Sequence, residues 1–114
     1  MEPVNDDIIQ DIVRRFLSVS DPRSIIVFGS RVRGDARPDS DVDVMVVEDE
    51  PFEPADPGRN RLARWRKLHE SLRGCRVPID LLLYTVAEVE YWKDSINHVV
   101  YDALTEGRVV YERP

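Results

Sequence analysis

Ile25-Ile26-Val27-Phe28-Gly29-Ser30 and, after a polar interval, Ser40-Asp41-Val42-Asp43-Val44-Met45-Val46-Val47 decide how this chain is read. Residues 25–28 are apolar and mostly β-branched, the pattern of a buried strand. That strand stops at Gly29-Ser30. Glycine lets a ligand approach the backbone closely, and a serine opening a short helix adds a hydroxyl, unpaired N–H groups and a positive dipole end. Phosphate oxygens need that combination, although Gly-Ser after a strand also serves as an ordinary turn. Gly34 and the Pro38-containing stretch to Ser40 read as loop. The second run is again a strand, headed by two aspartates. Side chains at i and i+2 of a strand share a face, roughly 6.5–7 Å apart along it, so Asp41 and Asp43 point the same way. Like charges so placed repel unless a cation lies between them, and magnesium suits hard oxygen ligands together with substrate phosphates. An isolated Asp-x-Asp is equally the solvent-exposed start of a strand.

A third acid lies further on. Asp80 interrupts Ile79-Asp80-Leu81-Leu82-Leu83-Tyr84, an otherwise apolar strand just after Pro78. An ionised aspartate among apolar residues needs a partner or a metal, unless it occupies the first exposed position. Taken together, a phosphate-binding turn, an acidic pair on the next strand and a third acid on a later strand make one site. Two metals held by three carboxylates can align a triphosphate and stabilise in-line displacement at phosphorus.

Outward from this centre the remaining elements follow. Asn5 or Asp6 can cap a first helix whose Ile8, Ile9, Ile12, Val13, Phe16 and Leu17 share a face, with Asp21-Pro22 ending the segment. Residues 48–58 carry five acids and three prolines, which predicts a mobile surface loop. Leu62, Trp65, Leu68 and Leu72 recur with helical spacing up to Gly74. Thr85-Val86-Ala87-Glu88 has the form of a capping box. It opens a helical stretch through Val89, Trp92, Ile96, Val99, Val100 and Leu104, bent near Asp94-Ser95 and closed by Gly107. Val109-Val110-Tyr111 can add an edge strand. The order, with no repeat and no interdomain linker, predicts one α/β (α+β) domain over residues 1–114, a small mixed sheet flanked by helices.

Composition narrows the function. A chain of 114 residues buries roughly 65% of the surface its unfolded form exposes, enough for one core. The net charge of -6 argues against a general nucleic-acid binder and against anionic membranes. It points instead to a metal-bridged small anion or a protein partner. The single cysteine, Cys75, permits no internal disulfide and suits the cytoplasm; with no catalytic partner nearby it reads as inert, despite Arg73 and Arg76. No signal peptide and no run of membrane-spanning length is visible.

Gly29-Ser30-Arg31-Val32-Arg33-Gly34 followed by Asp39-Ser40-Asp41-Val42-Asp43 resembles the signature of the minimal nucleotidyltransferases, within the DNA polymerase β-like nucleotidyltransferase superfamily. The resemblance implies the nucleotidyltransferase fold. It further implies that Gly29, Ser30 and Ser40 bind the triphosphate of ATP. Asp41 and Asp43 would hold Mg2+, two ions in all, with Asp80 as third carboxylate on one metal, helping to activate the attacking hydroxyl. Larger members carry an extra domain that grips the acceptor, and this chain ends at Pro114, so something else is expected to present the hydroxyl. Small proteins of this kind are commonly paired with a HEPN-type RNase toxin, the nucleotidyltransferase acting as antitoxin and transferring AMP from ATP to a tyrosine of the toxin.

Two rival readings come from other classes. One is a binding antitoxin that neutralises its partner by covering it; the other is a small-molecule or RNA nucleotidyltransferase. Intact carboxylates weigh against the first, and the missing acceptor domain and negative charge against the second. Arg59, Arg61, Arg64, Arg66, Lys67, Arg73 and Arg76 make the third element basic. It reads as a solvated face with arginine stems over Trp65 and Leu68, or as a surface for an acidic partner or the triphosphate tail. His69 and His98 lack metal-ligand spacing and read as structural or surface residues.

Overall fold

The computed structural model describes residues 6–29 and 41–114. Its elements are α1 (Asp6–Leu17), β1 (Ser24–Phe28), β2 (Val42–Glu48), α2 (Arg61–Ser71), β3 (Ile79–Thr85), α3 (Val86–Trp92), α4 (Val99–Glu106) and β4 (Arg108–Glu112). The strands form one sheet in the order β3-β2-β1-β4. β1 runs antiparallel to both β2 and β4, whereas β2 and β3 are parallel, so the sheet is mixed. The predicted edge strand is present as β4.

Strand alternation sends side chains to two cores. On one face Ile12 and Phe16 of α1 and Leu68 of α2 pack over Ile25, Val27, Val42, Val44, Val46, Leu81 and Leu83. On the other, Val100 and Ala103 of α4 cover Ile26, Phe28, Met45 and Val47, with Val89 and Trp92 of α3 beside them. The central strand β2 is buried on both faces, which explains its unbroken Val-Met-Val-Val run. Leu62, expected on the buried stripe of α2, is instead 57% exposed.

The helix ends follow local chemistry. The Asn60 side chain accepts from Ala63 N–H to start α2, and Gly74 (φ +84°) turns the chain after it. The capping box forms as read: Thr85 and Glu88 bond reciprocally. The single bent helix expected after it is a correction, since α3 and α4 are separate helices. His98 stands in extended conformation between them, and its Nδ1 accepts from Val100 N–H at 3.1 Å to start α4. Its ring stacks on Trp92 at 4.2 Å and meets Tyr84 edge-on, which fixes the break.

The loop over 49–60 also departs from expectation. Arg64 pairs with the buried Glu48 and donates to the carbonyls of Glu50 and Pro51. Arg61 and Arg64 both lie over the Phe52 ring, Arg59 pairs with Glu53, and Asp56 Oδ1 accepts from Gly58 and Arg59 N–H. The loop is pinned rather than loose, because Arg61 and Arg64 of the helix that follows it hold its first half and contacts within residues 53–59 hold the rest. The same helix guards the outer side of β3: Trp65 Nε1 donates to Leu81 O at 2.9 Å and Arg61 to Leu83 O at 2.6 Å. Among the described residues no helix is long and apolar enough to cross a membrane.

Candidate active site

Three strand ends meet at one end of the sheet. Because β1 is antiparallel to β2 and β3 is parallel to it, the end of β1 and the starts of β2 and β3 converge. The register sets Phe28 opposite Asp43, and Asp43 opposite Asp80. Adjacent strands lie about 4.7–4.9 Å apart, so the two acids stand nearly side by side. Asp43 shares parity with Met45 and Val47, and Asp80 with Leu82 and Tyr84, so both belong to the face covered by α3 and α4. Asp41 is exposed and directly precedes β2.

Gly29 closes the site from the β1 side. It is buried, with φ +91°, and a Cβ placed on it would fall 2.0 Å from Asp43 Oδ2. The Asp43 carboxylate therefore rests against bare backbone, and only glycine leaves room for it. Asp43 itself is half-buried and Asp80 exposed, and no described residue neutralises Asp41 or Asp80. Two carboxylates abreast on one face repel each other, which gives a cation a reason to bind.

Among the described residues no three acidic, histidine or cysteine side chains come together closely enough to hold a metal by themselves. The arrangement is an open acidic face. That fits Mg2+, which takes one or two protein carboxylates and fills its remaining positions with water and substrate phosphate. Of the residues singled out in the sequence, Gly29, Asp43 and Asp80 are brought together and Asp41 sits at the mouth of β2. Ser30 and Ser40 lie outside the described residues.

The other candidates resolve as structure. His69 stacks on Trp65 at 4.6 Å, and His98 is a helix cap. Cys75 is half-buried against the first core. Three of the basic residues, Arg59, Arg61 and Arg64, are engaged in holding the loop. Arg66, Lys67 and Arg73 project into solvent. A cavity of about 400 Å3 between Ser20, Glu48, Arg64, Lys67 and Arg113 lies at the opposite end of the sheet, away from the carboxylates. What sequence reading missed is the role of the edge: nothing local in Arg61 or Trp65 signals that they cap carbonyls of β3.

A family model described as a nucleotidyltransferase domain matches residues 7–110. Among solved structures, the fold is similar to that of a Sulfolobus solfataricus protein assigned as a nucleotidyltransferase (19% identity, 94% of this chain and 79% of that chain, TM-score 0.61). It is also similar to a toxin–antitoxin crystallised with AMP-PNP (18% identity, 92% and 73%, TM-score 0.63). A mutant of the toxin–antitoxin MntA-HpeT is similar as well (15% identity, 96% and 75%, TM-score 0.57). At these identities the likeness is one of fold. No curated protein is significantly similar in sequence.

Proposed function

The chain belongs to the nucleotidyltransferase domain family, and on that premise we propose that it transfers AMP from ATP to a hydroxyl on a protein partner. The partner is a HEPN-type RNase toxin, and the chain is its cytoplasmic antitoxin, acting as a single domain. The observation that carries the reading is the pairing of Asp43 with Asp80 at the mouth of the sheet, with Gly29 pressed against the first of them. The toxin–antitoxin structures among its fold neighbours, one of them with AMP-PNP, support the choice of partner and nucleotide.

Each residue has a stated task. Gly29 admits the triphosphate to the backbone at the end of β1, where Ser30 and Ser40 add hydroxyl donors. Asp41, Asp43 and Asp80 would hold two Mg2+ ions, which would neutralise phosphate charge and favour in-line displacement. Asp80, exposed at the start of β3, faces the incoming hydroxyl and accepts its proton as the oxygen bonds to the α-phosphorus. The bond from that phosphorus to the bridging oxygen breaks, and pyrophosphate leaves. Asp43 is held between Gly29 and Asp80, so its carboxylate is oriented before substrate arrives.

The test is to incubate the chain with the protein encoded beside it, labelled ATP and magnesium, and to weigh that protein by mass spectrometry. An added nucleoside monophosphate is expected with wild type and not with Asp41→Ala or Asp43→Ala. If wild type leaves no adduct while both variants still neutralise the partner, the chain acts by covering its partner and the transfer reading is wrong.

A further inference from the structure

A helix ends in carbonyls that its own N–H groups do not reach, and at the end of α2 they are satisfied in two ways. Within the chain, Leu72 N–H reaches His69 O, Arg73 N–H reaches Glu70 O and Cys75 N–H reaches Leu72 O. The carbonyls of Ser71 and Arg73 are taken from α1, where Arg15 Nη1 donates to both, at 2.9 and 2.7 Å. The same guanidinium is aimed by Asp11, whose Oδ2 accepts from Arg15 Nε at 2.9 Å. One partly buried side chain thus holds the last carbonyl of α2 and the carbonyl just before Gly74, where φ is +84°. Any cation near a helix C-terminus is favourable, but that asks for no particular geometry. Three bonds from one planar group do more, fixing the direction in which the chain leaves the helix.

That direction matters at Asp80. From Gly74 the chain runs through Cys75 and Val77, both packed against the first core, to Pro78. Pro78 O accepts from Val42 N–H at 2.9 Å, and Val42 is the residue between Asp41 and Asp43. Asp80 follows two residues later, exposed on its strand. The approach to β3 is therefore tied at both ends, to α1 by Arg15 and to the acidic pair by Val42. Among the described residues the Asp80 carboxylate has no hydrogen-bond partner of its own, so it stands where the backbone brings it.

We propose that Arg15 is a positioning residue for the metal site: it sets the approach to β3 and so holds Asp80 level with Asp43. It touches neither metal nor substrate and acts through the backbone of residues 72–78. The role of Asp80 as a metal ligand rests on the transfer reading.

The test is Mn2+ binding to the whole chain, read by electron paramagnetic resonance as loss of the free-ion signal. Arg15→Gln is expected to weaken binding about tenfold, the low end for groups that orient a metal ligand from outside. Arg15→Lys keeps the charge without the planar fork and should lose less. Arg14→Gln, which removes an exposed side chain paired with the same Asp11, should lose nothing. In an Asp80→Ala background Arg15→Gln is expected to add less than about twofold, because the group it places is no longer there. Wild-type affinity in Arg15→Gln, or the same tenfold loss on top of Asp80→Ala, would make Arg15 purely structural and overturn the proposal. If Arg15→Gln does not fold, the cycle of Arg15→Lys with Asp80→Ala decides in the same way. Should the cycle come out as expected while the partner protein never gains an adduct, transfer is wrong and the positioning role stands. An adduct formed by Arg15→Gln with the magnesium requirement of wild type sinks the positioning role and leaves transfer standing.

Discussion

Gly29→Ala is the most informative single change. Two costs follow from the structure. A φ of +91° is disfavoured for any residue with a Cβ, by roughly 1–3 kcal/mol. The new methyl also lands 2.0 Å from Oδ2 and 2.9 Å from Cγ of Asp43. Those atoms end a side chain and can swing aside, at about 0.5–1.5 kcal/mol for an off-rotamer angle. The expected loss is therefore roughly 1.5–4.5 kcal/mol. In an Asp43→Ala background the carboxylate is gone and only the Asp43 Cβ, 3.3 Å away, remains to be met. There the same substitution is expected to cost only the backbone part, leaving a coupling of about 0.5–1.5 kcal/mol between the two sites. Urea melts of the four proteins measure it as a double-mutant cycle. Pyrophosphate release by the folded Gly29→Ala protein is expected to fall about 100-fold, the effect of moving a positioned group by an ångström. Additive melts, within about 0.3 kcal/mol, together with undiminished release would refute the claim that Gly29 positions Asp43.

Three further outcomes can be checked in solution. Asp80→Asn relieves the like-charge contact with Asp43, so without metal its melt is expected to rise by the equivalent of about 0.2–1 kcal/mol; added magnesium should stabilise wild type and not the variant. Arg64→Ala strands the buried Glu48 carboxylate, whose pair is only partly open to solvent. A loss of roughly 2–3 kcal/mol, below that of a fully buried pair, should appear in urea melts, with faster proteolysis within 49–58; an unaltered digestion pattern would mean the loop is held otherwise. The hydrogen bond from Arg15 holds the Asp11 carboxyl below its usual 3.8. A lowered folded value stabilises above 3.8 and loses that stabilisation as pH falls through it. Asp11→Asn is thus expected to cost about 0.3–0.5 kcal/mol near neutrality, the gap from wild type closing under strong acid.

Much of the fold was legible because its signals are local. The β-branched runs at 25–28 and 42–47, the periodic apolar face of α1 and the Thr85–Glu88 box each occupy a few consecutive residues, and each became the expected element. The features missed depend on partners far along the chain. The loop after β2 looks loose by composition, and Arg61 and Arg64 from the next helix tie it down together with the Arg59–Glu53 pair inside it. The break between α3 and α4 needs His98 to cap one helix while stacking on Trp92 of the other, which a hydrophobic period cannot show. At the site, the residue types and their spacing were readable, whereas Asp41 falls just outside β2, where strand alternation does not set its direction. That Asp80 stands beside Asp43, on the next strand in the chain but beyond α2, is a fact of sheet register alone.

That register acts as a gauge on function. Side-chain direction in a strand alternates with each residue, so a slip of β2 by a single position would bring Val44 to Phe28 and Asp80, and turn Asp43 into the apolar layer beneath α1 and α2. The slipped sheet would bury a charge and lose its acidic pair in the same movement. Misthreaded molecules are thereby made unstable as well as inactive, and any pool that survives folding is one in which the carboxylates are already aligned.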